Sequence, residues 1–519
     1  MASMGNMDTT SSRSSKDPSK LSFQSTKTRR LILTAYWGVI LLAIPLWWRT
    51  TSIERQTLPT ARVNAQQGKE LTFPIHVHLD VSDDLSGRGG ALYEEVQRSI
   101  ELHPDLRDTA GLRIRVSSKE KLPGAYRVVV KGGSESPIVD GRRLIYGVHP
   151  ESHTLSMELA DALATLLSPY STLRSSQAER VAKYAPRYRL AFTLLNEDAA
   201  SGTAALSWDV HASLSSHIAP TLERLSVLHN FTVESQVQFY APLAFEPRSV
   251  GDGSSHGLTQ EDLTVFINSA EWTLSSSVSN DPVLHFVLFI PSSSHSPLCI
   301  LDSNGTPTSS TAFILPQWGG IVIYNPPTAN ITLQLTSDAL SPVFTTFQQQ
   351  LIALLGVPAL PAHIHTQHKT ASDATFTDWQ LDALIRRRAV ENTMGAQDTL
   401  QSIVRLVTQI ENMPVKRDVK NDVQEALMEL EEAYAATSFS SALALQHASE
   451  ALTLASRAFF NPGMLALLYF PAEHNYAVYA PLFASISAPL VAALIREIVA
   501  WKRARKAKQE DTAVKLKDE

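Results

Sequence analysis

The chain holds a single cysteine, Cys299, among its 519 residues. One thiol cannot form a disulfide within the chain, and it excludes zinc or redox sites that are built on a CxxC pair. Any metal site would have to use histidine and carboxylate ligands. The sequence also lacks GxGxxG, P-loop and HExxH motifs, so neither nucleotide-binding folds of those types nor zinc proteases are indicated.

Charge is scarce as well, since Asp, Glu, Lys and Arg make up 18% of the residues. The 45 basic side chains against 51 acidic ones give a formal net charge of −6, which excludes a generally basic nucleic-acid-binding protein. Hydrophobic residues account for 44%, as is typical of chains that bury a core. The charges are unevenly placed, because residues 1–30 carry +4 and residues 496–519 carry +3, which leaves the middle acidic.

An uncharged run of 18 residues, Leu31–Trp48, has Arg29 and Arg30 before it and Arg49 after it. As a helix it would measure about 27 Å, close to the thickness of a bilayer's hydrocarbon core. Its tyrosine and tryptophan residues lie near the ends, where such rings favour the headgroup level. No A-x-A-like cleavage site follows the run, so the sequence predicts an uncleaved transmembrane helix rather than a signal peptide or a buried core helix.

A second uncharged run predicts a transmembrane helix over residues 476–495, and five basic residues follow it between Lys502 and Lys508. Pro481 and Pro489 would kink this helix without forbidding it. Basic residues beside membrane helices favour the cytosolic side. The sequence therefore predicts a hairpin with both termini in the cytosol, made of a basic cytosolic segment at 1–30, transmembrane helices at 31–48 and 476–495, a lumenal domain at 49–475 and a basic cytosolic tail at 496–519.

The lumenal region is predicted to be an α/β domain over residues 70–360, followed by a helical layer over residues 378–460. In the first part, short runs rich in β-branched and aromatic residues alternate with helix-length segments. Residues 204–229 are predicted to form one helix and residues 263–268 a strand. From residue 378 onward the apolar residues recur at helical spacing. The order of the strands stays open, because one sequence does not determine it.

Three N-glycosylation sequons fall in the region predicted to be lumenal. They begin at Asn230, Asn304 and Asn330, and a proline follows the Asn304 sequon directly. That proline makes Asn304 the poorest acceptor of the three. Sequons are expected on the surface of a domain that enters the secretory pathway, so we predict glycans at these positions.

One enzymatic interpretation uses His256 and Cys299. Their separation of 43 residues resembles the His-Gly to Cys spacing of caspase-like and legumain-like hydrolases, in which an imidazole activates a thiolate nucleophile. Against this interpretation, Cys299 lies in a Ser-rich stretch some distance after the preceding strand-like run. A free-standing lumenal cysteine hydrolase is therefore kept as the alternative function, and an inert thiol is favoured.

Histidines suggest a second chemical hypothesis. His363, His365 and His368 lie within six residues, and His76 and His78 are candidate companions for an open zinc site. However, spacing of two residues brings imidazoles to one side only on an extended segment, and no carboxylate lies in the motif. A solvated loop is favoured, so no metal and no cofactor are expected.

Four stretches of the sequence resemble the PIG-S family of GPI transamidase subunits, and the chain is similar to its fungal-type members. They occur in the family's order and with its spacing, around the same two predicted transmembrane helices. They are PLWWRTT at 45–51 with Arg55 and LP at 58–59, NFTVESQ at 230–236, WGGIVIYN at 318–325, and YFP at 469–471 continuing through YAPLF at 479–483.

This resemblance implies a non-catalytic structural subunit of the GPI transamidase complex in the endoplasmic reticulum membrane. That complex removes the C-terminal signal of a protein and joins the new end to a preformed GPI anchor. The implied partners are the catalytic PIG-K, PIG-T, PIG-U and the GPAA-type subunit, together with the lipid bilayer. The family motif assigns no catalytic residue, so none is transferred to this chain.

The chain ends in Lys515-Leu-Lys517-Asp-Glu519, which resembles the dilysine signal that returns membrane proteins with cytosolic tails to the endoplasmic reticulum. Lys515 and Lys517 are therefore candidate retrieval residues. The alternative is an ordinary solvated charge run, which a lysine-rich tail produces easily.

Overall fold

The structure is a computed structural model that describes residues 25–51, 54–82, 89–107, 112–117, 124–133, 136–148, 154–170, 181–251, 253, 255–274, 280–327, 332–367, 376–410, 413–465 and 472–515. The chain divides into two compact units. The first takes Met1–Thr57, Arg405–Lys420 and Phe460–Glu519, and the second takes Leu58–Val404 and Asn421–Phe459.

Within the described ranges, the strands belong to the second unit. In chain order they are β1 Phe73–Val81, β2 Leu112–Ser117, β3 Tyr126–Gly132, β4 Ile138–Asp140, β5 Arg143–Val148, β6 Arg187–Asn196, β7 Ala204–Trp208, β8 Asn230–Gln238, β9 Arg248–Val250, β10 Ser255–Leu258, β11 Val283–Ile290, β12 Leu298–Ile300, β13 Ala312–Leu315, β14 Gly319–Ile323, β15 Thr332–Leu335 and β16 His365–Thr366.

The longer helices are α1 Thr26–Thr51, α2 Gly89–Leu102, α3 Leu155–Leu167, α4 Ser337–Leu355, α5 Asp378–Gln409, α6 Arg417–Ala436, α7 Ser441–Phe459 and α8 Ala472–Lys515. Short helical segments complete the description, at Thr60–Asn64, Pro104–Arg107, Ala199–Ser201, Val210–Ser213, Leu214–Ile218, Ala219–Leu225, Gln260–Thr264 and Pro462–Leu465.

The first large sheet has the order β16-β4-β5-β3-β1-β2. Its members β2, β1, β3 and β5 run parallel to one another, and β4 is antiparallel to β5. Helices α2 and α3 pack on it, since Val96 and Leu159 join the buried cluster that contains Val128. Helix α2 lies in the crossover from β1 to its parallel neighbour β2, whereas strand β4 lies between the parallel strands β3 and β5.

The second large sheet has the order β13-β14-β11-β6-β8, and its strands are parallel except for β13. Every residue of β6 after Arg187 is buried, as is typical of a central parallel strand covered on both faces. Helix α4 packs on one face, where Phe344 stacks on Phe192 with their ring centroids 5.8 Å apart. The predicted α/β region is thereby confirmed, and it contains two large sheets.

The helical layer predicted after residue 378 is also confirmed, as helices α5, α6 and α7. Their apolar stripes are buried, with Leu384, Ala433 and Ala444 in the same cluster as the core of the second sheet. Between α6 and α7, Arg457 makes two hydrogen bonds to Asp422, of 2.9 and 2.6 Å. This bidentate geometry fixes how the two helices align.

Two local predictions were wrong. Residues 204–229 are not one helix, because Ala204–Trp208 forms strand β7 and pairs in parallel with β15, and helical segments begin only at Val210. Residues 263–268 are not a strand, because a capping box between Thr259 and Asp262 starts a short helix over Gln260–Thr264. In the first case a long-range pairing overrode local propensity, and in the second a helix cap did.

The first unit contains the two terminal helices. The segment Lys27–Leu46 of α1 is long and apolar enough to cross a membrane, as predicted, and none of it is buried inside the structure. Helix α8 passes the same test only as two pieces, Ala477–Ser485 and Ser487–Glu510, that meet at a bend of 43°. Near the start of α1, Arg29 and Arg30 both form ion pairs with Glu497 of α8. These ion pairs join the start of α1 to the second of the two pieces of α8.

Candidate functional site

His256 and Cys299 lie on neighbouring strands, since β10 and β12 pair in parallel with Gly257 opposite Cys299. Their side chains nevertheless do not meet as a catalytic pair. The Cys299 thiol donates to the backbone carbonyl oxygen of His256 at 3.1 Å, and the His256 ring lies 5.4 Å from that of His295. Burial raises the pKa of the Cys299 thiol, which disfavours the nucleophilic thiolate. This arrangement does not support the cysteine hydrolase interpretation.

Residues 253–257, GSSHG, also spell a G-x-S-x-G motif. In hydrolases this motif places its serine on a sharp turn between the end of a strand and the start of a helix. Here Ser255 is the first residue of strand β10, and the chain continues as strand to Leu258. The structural context that makes the serine a nucleophile is therefore not formed.

A cluster of ionisable groups that no motif marks lies where strands β6 and β11 end. Glu197 is 5% exposed, and its Oε1 lies 2.6 Å from Nδ1 of His295. Oε1 of Glu246 lies 3.1 Å from the other ring nitrogen, Nε2. Glu197 also accepts a hydrogen bond from the backbone N–H of Ser292 at 2.8 Å. Burial by itself favours the neutral ring, but the two carboxylates together raise the pKa of His295 above its ordinary value. The cluster joins the two strand ends, and sequence could not reveal it because its members are about 50 residues apart.

The histidines considered for zinc are separated by the sheet. His76 and His78 lie on β1 and His365 on β16, with β4, β5 and β3 between them. Four strand spacings amount to about 19 Å, far beyond the span of one metal site. His78 lies 3.0 Å from Asp80 instead. His363 is exposed, and His368 lies outside the described residues. Within the described ranges, no group of three or more His, Cys, Asp or Glu side chains could hold a metal ion.

The candidate modification residues have different surroundings. Asn230 is the exposed first residue of β8, which is the edge strand of the second large sheet. Asn304 is exposed in a turn, and its backbone N–H donates a hydrogen bond to Oδ1 of Asp302 at 2.9 Å. Asn330 lies outside the described residues. Lys515 is the last residue of α8, and Lys517 lies outside the described residues.

A cavity of about 260 Å³ lies at the edge of the first large sheet where β1 and β3 begin. Its walls also include Arg142, helix α5 and the connection between α6 and α7. Within it, Asp382 accepts two hydrogen bonds of 2.9 Å from Arg142 and one of 2.8 Å from the hydroxyl of Tyr126. The same hydroxyl accepts a hydrogen bond of 2.9 Å from Arg386. The cavity is thus lined by an ordered polar network.

The phenol of Tyr126 holds this network together. Burial is the main reason why the pKa of Tyr126 rises to about 12, so the hydroxyl keeps its proton at neutral pH. It can therefore donate to Asp382 and accept from Arg386 at the same time. The ring of Trp379 packs against that of Tyr126 with centroids 4.1 Å apart, which fixes the phenol in place. Sequence reasoning missed this site, because residues 126, 142 and 386 come from three separate segments.

Comparisons with known proteins cover nearly the whole chain. The model of the family described as "Phosphatidylinositol-glycan biosynthesis class S protein", PIG-S, matches residues 34–504. The chain is 32% identical to the "GPI-anchor transamidase component PIGS" of Rattus norvegicus over 90% of this chain and 95% of the rat protein. It is 29% identical to the human protein of that name, over 88% of this chain and 92% of the human one. The "GPI transamidase component PIG-S homolog" of Schizosaccharomyces pombe is 29% identical, over 92% of this chain and 85% of the yeast protein.

Proposed function

The chain belongs to the PIG-S family, and on that premise we propose that it is a subunit of the GPI transamidase complex, which attaches preformed GPI anchors to proteins. The observation that carries this conclusion is similarity over almost the full length of relatives named as transamidase components. Similarity over nearly the full length supports a shared function of the whole subunit, whereas a shared fold alone would not imply a shared function. The subunit acts within the pathway of GPI-anchor biosynthesis.

The role within the complex is structural and not catalytic. The relatives are named as components of the transamidase. In this chain the thiol of Cys299 faces a backbone carbonyl rather than an imidazole, so no nucleophile and base are paired there. A subunit without its own chemistry can still accelerate a reaction by holding the catalytic subunit and two lipid-tethered substrates together, because shared positioning raises effective concentration.

The proposed partners are the catalytic PIG-K, PIG-T, PIG-U and the GPAA-type subunit, within the bilayer of the endoplasmic reticulum. Transmembrane helices associate through close packing rather than through the hydrophobic effect. Helix α8 presents Ala484, Ser485 and Ala488 on its exposed surface, which suits contact with partner helices. The acidic region between the helices would supply the remaining contacts on the lumenal side.

The proposed topology has two transmembrane helices, at 31–48 and 476–495, with both termini in the cytosol. Two features support it. The basic residues at each end of the chain follow the positive-inside rule. In addition, the ion pairs of Arg29 and Arg30 with Glu497 join a position just before the first helix to one just after the second, as a hairpin requires. Lys515 and Lys517 would then be readable by cytosolic retrieval factors.

Co-purification tests the proposed function. The full chain, tagged and expressed in cells from which the native subunit has been removed, should restore surface display of a GPI-anchored reporter. Gentle extraction from membranes should recover the other transamidase subunits with it. A chain that inserts normally, is recovered without them and fails to restore display would contradict the proposal. An unrelated protein with two transmembrane helices, expressed at the same level, is the control for nonspecific association.

A further inference from the structure

A buried positive charge lines the cavity that lies beside β1 and β3. Arg386 is only 8% exposed, and it donates to two neutral groups, the Tyr126 hydroxyl at 2.9 Å and the Leu167 carbonyl at 3.4 Å. The carboxylate nearest in the network, Asp382, is already engaged by Arg142 and Tyr126. Among the described residues, no carboxylate forms an ion pair with Arg386. The lining thus holds two guanidiniums, of Arg142 and Arg386, against the one carboxylate of Asp382. Since buried charge is costly without a counter-charge, this excess of positive charge favours an anion.

The connection between α6 and α7 supplies further donors to the cavity. Helix α7 has 19 residues and begins at Ser441, which lines the cavity together with Ser438 and Ser440. The first backbone N–H groups of a helix lack partners within the helix, and they carry a partial positive charge. Ser440 Oγ accepts one of them, from Leu443 at 3.3 Å. Serine hydroxyls and the remaining N–H groups are therefore available to an anionic oxygen.

The number and arrangement of these donors favour a phosphoryl group over a carboxylate. A carboxylate has two oxygens in one plane, and a single bidentate arginine satisfies it, as Asp382 and Arg142 illustrate. The lining of the cavity instead combines the Arg386 guanidinium with three serines at the start of a helix. Three tetrahedrally arranged oxygens can use both sets of donors at once. The volume of about 260 Å³ is smaller than that of sites for drug-sized ligands, so it suits a small headgroup.

We propose that this cavity is a binding site for a phosphoryl group, with Arg386 supplying the counter-charge and the start of α7 supplying hydrogen bonds. The group is either inorganic phosphate or the phosphate ester of a lipid headgroup. All of the residues that line the site belong to this chain, so binding can be measured without the other subunits.

The test uses the purified full chain in detergent, with binding measured by calorimetry. The probes are inorganic phosphate, O-phosphorylethanolamine and, as a carboxylate of similar size, N-acetylglycine. The informative variant is Ser441→Asp, which adds a negative charge at the cavity wall. An acidic residue in the first turn stabilises a helix, so this variant should fold. Ser337→Asp is the matched control, because Ser337 likewise begins a 19-residue helix, α4, but does not line the cavity.

We expect Ser441→Asp to weaken binding of both phosphate probes by a factor of about five or more, since like charges a few ångströms apart repel by at least that much even in water. Ser337→Asp should bind as the unmodified chain does. Arg386→Gln should abolish binding if this variant folds, and if it does not fold, the Ser441→Asp result decides whether the cavity binds phosphate.

The two phosphate probes distinguish the sources of the phosphoryl group. If O-phosphorylethanolamine binds at least about tenfold more tightly than phosphate, the source is a lipid headgroup, and equal binding would identify free phosphate. The proposal is overturned if neither phosphate probe binds, if N-acetylglycine binds as tightly, or if both aspartate variants weaken binding equally.

Discussion

The lone thiol of this protein illustrates how a side chain's neighbours decide its chemistry. Cys299 is half-buried and donates to the carbonyl oxygen of His256, and burial raises the pKa of its thiol. In the described part of the chain, the hydrogen bond of the thiol goes to a backbone carbonyl rather than to a base that could activate it. It therefore behaves as an ordinary small side chain on strand β12.

We expect Cys299→Ser to leave GPI attachment nearly unchanged, because serine retains a donor for the His256 carbonyl and the thiol has no chemical role. The measurement is surface display of a GPI-anchored reporter in cells that depend on the variant. Subunit recovery after extraction serves as the control for assembly. Loss of display by a variant that is still present and assembled would restore the hydrolase interpretation.

Asn230 is expected to carry a glycan, because it is exposed at the start of an edge strand and begins a sequon. Asn230→Gln should remove one glycosidase-sensitive step of electrophoretic mobility. Thr232→Ala should remove the same step, while Thr232→Ser keeps the sequon and should not. Asn330 should behave as Asn230 does, and Asn304 should be modified less because proline follows its sequon. Absence of any shift would mean that this region does not enter the lumen.

Gly320 lies in one of the four stretches that resemble the PIG-S family, and close packing explains why it is a glycine. A Cβ placed there would lie 2.0 Å from Oε1 of Gln350, whose amide donates to the carbonyls of Phe313 at 3.0 Å and Ile321 at 3.2 Å. Gly320→Ala should therefore destabilise the protein by about 1–3 kcal/mol. Thermal unfolding of the full chain measures this, and Gly132→Ala is the control, because a Cβ at Gly132 would meet open space. Equal unfolding temperatures for the two variants would contradict the explanation.

Among the elements, helix α8 differs most from a plain membrane anchor. It bends by 43° between its two apolar pieces and contains Pro481 and Pro489. Ala484, Ser485, Ala488 and Ala492 are exposed along it. Small side chains let helices approach closely in a bilayer, where packing drives association. The composition of α8 is thus typical of a helix that packs against others.

Replacing Ala484, Ser485, Ala488 and Ala492 by leucine should leave membrane insertion intact, because apolar length and flanking charge determine insertion. The same variant should recover less of the other transamidase subunits, because leucine keeps partner helices apart. Carbonate extraction measures insertion, and co-purification measures assembly. Ala493→Leu adds the same side chain on another side of the helix and is the control. Full recovery of an active complex by the leucine variant would reduce α8 to an anchor.

For the whole molecule, charge and helix pairing support one orientation. Both ends of the chain are basic, and Arg29 and Arg30 pair with Glu497 beside the second predicted transmembrane helix. We expect tags at residues 1 and 519 to be removed by protease added to sealed microsomes, while residues 49–475 are protected. Detergent added before the protease should expose every part and serves as the control. Protection of either tag would reject the hairpin.

Much about this protein follows from local sequence. The first transmembrane candidate, the helices after residue 378 and the alternation of strands and helices before it are visible because hydropathy and periodicity act over 10 to 20 consecutive residues. The resemblance to the PIG-S family depends on short stretches as well, such as WGGIVIYN at 318–325. These features report local constraints, so one sequence is enough to recognise them.

Only the tertiary structure decided which side chains meet. Strand order puts His76 and His365 four strands apart, although their histidine motifs were candidates for one zinc site. The Cys299 thiol points at the His256 carbonyl, although the spacing of the two residues resembled that of a catalytic pair. It also turned residues 204–208 into a strand, because β15 was available to pair with them. Tyr126, Asp382 and Arg386 meet across more than 250 residues of sequence. Contacts of this kind depend on how sheets and helices pack, and a linear pattern carries no record of that packing.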